Sequence, residues 1–151
     1  MKLISNITNK NHRRRLVELI KSSDKIVLCS GWIDPKGLEK ITPALKSASS
    51  RKADVRIFTN KKHTSEACIQ VLSSIPEVEH NVVDNNVKYL HTKIFYFTKG
   101  KNYTVIIGSA NLTYGGLVNN EELSIETSGF IDSVEHEKIF EHLEVLDTYK
   151  V

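Results

Sequence analysis

The sequence predicts an α/β/α sandwich on a mixed, largely parallel sheet. Three observations carry this. Short apolar runs with few polar positions alternate with segments of helical period, the pattern of strands buried on both faces between helices. A turn at Lys99-Gly100-Lys101-Asn102 joins two strands as a hairpin, which makes the sheet mixed. The 151 residues, 40% of them hydrophobic and 26% charged, suffice for one core without disulfide or metal. No repeat or Pro/Gly-rich linker divides the chain, so residues 1–151 read as one domain.

The elements follow in order. A helix is expected over Asn11 to Ser23, capped by Asn9 or Asn11, with Leu16, Val17, Leu19 and Ile20 at helical spacing. Lys25 to Ser30 is a short apolar strand closed by Gly31. Pro35 suits the first turn of a helix running to Leu45, and Pro43 should kink or end it. Asp54 to Thr59 is a strand. Thr64 caps a helix to Ser74 with Cys68, Val71 and Leu72 inward. Val78 to Val83 is a weaker strand. Tyr89 to Thr98 and Tyr103 to Gly108 are the hairpin strands, and Leu123 to Thr127 is the last. Asp132 caps a final helix to Leu146 that carries Val134, Ile139, Phe140, Leu143 and Leu146.

Composition narrows the class. No apolar run approaches the roughly 18 residues of a membrane span. The opening MKLISNITNKNHRRR sets its charges after a weak apolar patch, unlike a secretory signal. Two cysteines, Cys29 and Cys68, form neither a disulfide framework nor a zinc site and are expected in the core. A cytoplasmic location is the expectation. The net charge of +3 is compatible with an anionic partner without requiring one.

The chemistry lies in Tyr89 to Glu126. His91 and Lys93, two apart on a strand, share a face about 7 Å apart along the chain. The neighbouring strand ends in Gly108-Ser109-Ala110-Asn111, with Ser109 on the face of Val105 and Ile107. Asn120 and Glu122 precede the last strand, where Glu122 is expected to share a face with Ser124. One imidazole, one ammonium, a hydroxyl, two amides and a carboxylate can therefore converge. That set suits a phosphodiester. Lys93 supplies positive charge, while Ser109 and Asn111 supply neutral donors to the non-bridging oxygens. His91 is the nucleophile that can be neutral at pH 7 unaided, and Glu122 can hold its tautomer. A two-metal nuclease needs several carboxylates at one site, and only Glu121 and Glu122 are near. The expectation is chemistry without metal or cofactor. Each piece alone also has a plain structural reading: a solvated edge, a turn, an exposed loop.

These pieces resemble the phospholipase D superfamily, whose signature is H-x-K, then G-S-x-N, then N-x-E. Here they are His91-Thr92-Lys93, Gly108-Ser109-Ala110-Asn111 and Asn120-Glu121-Glu122. The wording is similar to the single-motif nuclease branch, which includes a small metal-independent bacterial endonuclease and catalytic domains of certain restriction enzymes. The motifs span about a quarter of the chain. One position departs: the family's Asp, separated from the Lys by four residues, is Thr98 here. The resemblance implies a two-histidine mechanism in which one His forms a phosphohistidine and another protonates the leaving oxygen. It assigns His91, Lys93 and Glu122 to catalysis and Lys93, Ser109, Asn111 and Asn120 to phosphate. With one H-x-K per chain, it implies a homodimer whose shared site uses His91 twice. His63 or His80 within one chain is the alternative second histidine.

The expected partner is nucleic acid, DNA ahead of RNA, with no membrane. A separate DNA-recognition or helicase component is compatible. The alternatives are a weakly active nucleic-acid-binding or assembly domain, and a lipid phosphodiesterase. Arg13-Arg14-Arg15 and Lys61-Lys62-His63 are basic clusters that read first as solvated surface. Lys61-Lys62-His63 follows a strand end and could track a phosphate backbone. Trp32 could stack on a base or pack in a core or dimer contact.

Overall fold

The computed structural model describes residues 1–150, so Val151, the last residue of the expected domain, lies outside them. Seven strands form one sheet in the order β1-β7-β6-β5-β2-β3-β4. They are β1 (Lys2–Ser5), β2 (Lys25–Ser30), β3 (Asp54–Asn60), β4 (Val78–Val83), β5 (Ile94–Lys99), β6 (Asn102–Gly108) and β7 (Leu123–Phe130). Helices α1 (His12–Ser22), α2 (Pro35–Ser50) and α3 (Glu66–Ser73) pack on one face, and α4 (Val134–Asp147) covers the other. The sandwich is the expected one, but its balance is not largely parallel. Only β2–β3 and β3–β4 run parallel, while β1–β7, β7–β6, β6–β5 and β5–β2 are antiparallel. The hairpin inserts β5 beside β2, and everything beyond it returns by antiparallel neighbours.

Local chemistry sets most boundaries. Asn11 caps α1 by accepting from the Arg14 amide at 2.9 Å, which satisfies one of the free N–H groups of the first turn. Asp34 caps α2 ahead of Pro35. Pro43 does not end α2. The proline and Glu39, whose carbonyl loses its partner, both face solvent, while Ala44, Leu45 and Ala48 continue the buried stripe. Burial of that stripe outweighs the lost bond. The cap of α3 is Ser65, not Thr64, and that of α4 is Ser133, not Asp132. Thr64 instead donates to the Asn60 carbonyl at 2.7 Å. Val71, expected inward, is exposed, as are Val134 and Phe140 of α4.

Two core layers result. Leu16, Ile20, Leu38, Ile41 and Leu45 meet Ile26, Leu28, Val55, Ile57, Phe95 and Phe97 on the three-helix face. Val27, Cys29, Phe58, Tyr96 and Val105 meet Leu143 and Leu146 of α4 on the other. Both cysteines are buried free thiols, and burial pushes the Cys29 thiol up to about 12. Of the arginine run, Arg15 is structural: it clamps the buried Glu126 carboxylate through two hydrogen bonds, at 2.5 and 2.8 Å. Its guanidinium is held above the ordinary value chiefly by that bond.

The single α4 helix leaves the β7–β1 end of its face uncovered. Leu3 and Ile107 both sit opposite Ile125 in the ladders, and Leu123 lies two residues away on the same side. All four are about half exposed, from 47% to 63%.

A pH effect on stability follows from His80. Its Nε2 is 2.8 Å from the Thr59 hydroxyl, and burial lowers its pKa from 6.5 to about 4. The unfolded chain binds the proton more readily between those values. Stability from this group is therefore intact above pH 6.5 and is lost as pH falls toward 4, by about 2 kcal/mol after allowing for partial exposure. Thermal melts across that range should show the decline in the wild type and a flatter profile in His80→Gln.

Candidate active site

One end of the sheet gathers the C-terminal ends of β2, β3 and β6 and the N-terminal ends of β5 and β7. This is where open α/β sheets place ligands. The segment Tyr89 to Lys93 arrives here as irregular backbone, not as strand. Its would-be ladder partners have run out: Ile94 already pairs with Cys29, next to the end of β2, and with Ile107, next to the end of β6. Two anchors hold the segment instead. Asn60, fully buried, donates Nδ2 to the Leu90 carbonyl at 3.0 Å. At Gly31 an added Cβ would sit 2.8 Å from the Leu90 oxygen and 3.2 Å from the His91 Cα. Only glycine lets the His91 backbone lie against the end of β2.

His91 is exposed. The Lys93 ammonium folds back onto it, 3.2 Å from Nδ1 and 3.0 Å from the His91 carbonyl. The two side chains thus meet as the spacing implies, although no strand aligns them. Asn111 faces them from the β6–β7 connection. Its Oδ1 accepts from the Trp32 amide at 3.3 Å and lies 3.2 Å from the Ser30 hydroxyl. Its Nδ2 makes no hydrogen bond among the described residues. Gly31, Trp32, His63, Tyr89, Leu90, His91 and Asn111 line one cleft of about 100 Å³.

Ser109 donates to Glu122 Oε1 at 2.6 Å, and Asn120 Nδ2 lies 3.5 Å from Oε2. Glu122 precedes β7, so strand alternation alone does not set its direction. Among the described residues no hydrogen bond joins Glu122 to His91. Its carboxylate belongs to Ser109 and Asn120 within one chain.

Two residues that sequence reasoning passed over brace this loop. Asn6 donates to the Gly116 and Asn120 carbonyls at 2.8 and 3.0 Å. It accepts from the His12 amide and lies 2.7 Å from His12 Nδ1. The far ring nitrogen of buried His12 is 2.7 Å from the Ser124 hydroxyl. Burial lowers the His12 pKa. No motif flags either residue, because their role depends on an edge strand of four residues.

The second-histidine alternatives separate. His80 is tied to Thr59 inside the β3–β4 pair, on no cleft with His91. His63 shares the His91 cleft, stacks on Trp32 and lies 2.7 Å from the Tyr89 hydroxyl. Lys61 pairs with Asp84 at 3.7 Å. A larger depression of about 380 Å³, lined by Lys2, Arg14, Arg15, Glu18 and Glu126, holds none of the motif residues. Among the described residues, no group of three His, Cys, Asp or Glu side chains stands together as metal ligands, and no helix is long and apolar enough to cross a membrane.

The family model "Cardiolipin synthase, PLD-like domain" matches residues 16–144. The chain belongs to the phospholipase D-like family. No curated protein sequence matches it. Among solved structures, the phospholipase D family member Nuc from Salmonella typhimurium superposes with a TM-score of 0.72 at 22% identity, covering 99% of this chain and 95% of Nuc. NucT from Helicobacter pylori gives 0.68 at 19% identity, over 98% and 93% of the two chains. A yeast tyrosyl-DNA phosphodiesterase gives 0.60 at 10% identity, over 97% of this chain but 37% of that one. At such identities the likeness is one of fold, and it is the phospholipase D-like fold along nearly the whole chain.

Proposed function

We propose that residues 1–151 form one nuclease domain that cleaves nucleic acid, DNA ahead of RNA, without metal, through a phosphohistidine on His91. The observation that carries this is the one cleft lined by His91 and Asn111, with the Lys93 ammonium held against His91 and with Ser109, Asn120 and Glu122 joined on the adjoining loop ends. The nuclease-type neighbours Nuc and NucT match this chain end to end in both directions. That supports nucleic acid over the lipid substrate in the family model's description.

The residues divide the work by chemistry. The Lys93 ammonium and the free Asn111 Nδ2 bind non-bridging oxygens, with Ser109 and Asn120 as further donors. A phosphate is a better partner for Lys93 than a ring nitrogen, so substrate draws the ammonium off His91 Nδ1. The freed imidazole attacks phosphorus, the P–N bond forms and the P–O bond to the leaving oxygen breaks. A second, protonated imidazole gives that oxygen its proton. Water then attacks the phosphohistidine, returns a proton to the second ring and releases His91.

The second imidazole is assigned to a second copy of the chain. The half-exposed patch of Leu3, Ile107, Leu123 and Ile125 adjoins Ser109 and Glu122, so a two-fold dimer closed over it would bring two such sites together. Glu122, which does not touch its own His91, is then placed to orient the partner's His91. The positive charge is supplied by side chains, so cleavage should continue in excess EDTA at no less than about half its rate without chelator. Loss of cleavage in EDTA, restored by a divalent metal, would overturn the mechanism. A cytoplasmic location and a separate recognition or helicase subunit are compatible with this reading.

A further inference from the structure

Beside the His91 site stands an aromatic wall with no part in the chemistry above. Trp32 is 50% exposed although it sits where β2 ends. Its indole is already ordered. The His63 ring stacks on it at 4.0 Å between centroids and 15° between planes. The Trp32 amide donates to Asn111 Oδ1, its carbonyl lies 2.6 Å from the Ser30 hydroxyl, and the next amide, of Ile33, donates to the His63 carbonyl at 3.3 Å. The wall continues without a break to the site. His63 meets the edge of Tyr89 at 6.0 Å, and Tyr89 meets His91 at 6.4 Å. Tyr89 is 51% exposed, and the Lys62 ammonium stands 6.0 Å over its ring.

A half-exposed, pre-ordered tryptophan beside a phosphate site calls for a flat apolar partner. Its rotamer freedom is already spent, so stacking on it costs little further ordering. A nucleobase is the flat group that a phosphodiester strand carries next to each phosphate. In a duplex both faces of that base are covered by neighbours, and only an unpaired or splayed base can offer one. Lys62 adds a cation for the following phosphate.

We infer that Trp32, backed by His63 and Tyr89, is a base-stacking subsite that selects single-stranded nucleic acid next to the scissile phosphate. This rests on the nuclease reading of the His91 site and names its substrate class.

Trp32 is the only tryptophan in the chain, so its emission reports the subsite directly, without turnover. The His91→Ala variant is titrated with a short single-stranded DNA, the same strand made abasic, and its duplex. Quenching by the ordinary single strand alone is expected. In the background with His91 intact, Trp32→Ala should raise KM for the single strand about 5- to 100-fold, leave kcat within about threefold, and leave duplex cleavage unchanged. Trp32→Phe should recover most of the loss, which a mere packing role at this exposed position would not predict. Equal quenching by abasic strand or duplex, or equal KM losses on single strand and duplex, would overturn the subsite. If the wild type cleaves no nucleic acid, the nuclease reading fails separately, and the quench still decides the subsite.

Discussion

Replacing His91 by alanine is expected to reduce kcat on nucleic acid by on the order of 10⁴-fold or more, equivalent to about 5.5 kcal/mol of transition-state stabilisation. The ring is exposed, hydrogen-bonds only Lys93 among the described residues and meets the edge of Tyr89, so the fold should melt as the wild type does. Lys93, Asn111 and Ser109 remain, so affinity for a single strand should stay within a few-fold. The chemical signature is more specific than the rate. Wild type quenched in alkaline detergent should carry labelled strand through an acid-labile, base-stable bond, and the variant should carry none. Turnover unchanged in the variant would remove the imidazole from the reaction.

Ile125→Asp should have the second-largest effect. Ile125 lies opposite both Leu3 and Ile107 and two residues from Leu123, so a carboxylate there would be buried unpaired in the proposed interface. Sedimentation should report a monomer, and specific activity should fall at least about 100-fold and rise again with protein concentration. Far-UV spectra should not change, because the residue is 47% exposed in the single chain. Subunit mixing separates a shared site from two independent ones. Co-refolding wild type with equal His91→Ala should leave about one quarter of the activity if each site needs both imidazoles, and about one half if each chain works alone. The second result, with His63→Ala inactive, would transfer the proton-donor role to His63 in the same cleft.

The motif residues were readable because their types and order are themselves the chemistry. His91, Lys93, Asn111, Ser109 and Glu122 do come to one end of the sheet. Their local geometry was less readable. The apolar pattern extends β5 back to Tyr89, but a strand stops where its neighbours stop, and neighbours are a tertiary fact. The same limit explains the balance of the sheet, since nothing in the run Leu123 to Thr127 says which strand it pairs with. Pro43 carried a strong local signal that a buried stripe overrode. Ser65 and Ser133 take the caps one position later, because their hydroxyls accept from the amides of Cys68 and His136. Asn6, His12 and the stack of His63 on Trp32 had no pattern to betray them, because each works through a partner distant in sequence.

The Asn6–His12 brace has a practical consequence. β1 leads into the turn whose Asn6, with His12, holds up the loop that presents Asn120 and Glu122. Asn6→Ala would slacken that loop while leaving the core residue Ile4 and the helix cap Asn11 in place. Such a variant would look well folded by spectroscopy and still perform poorly in an assay.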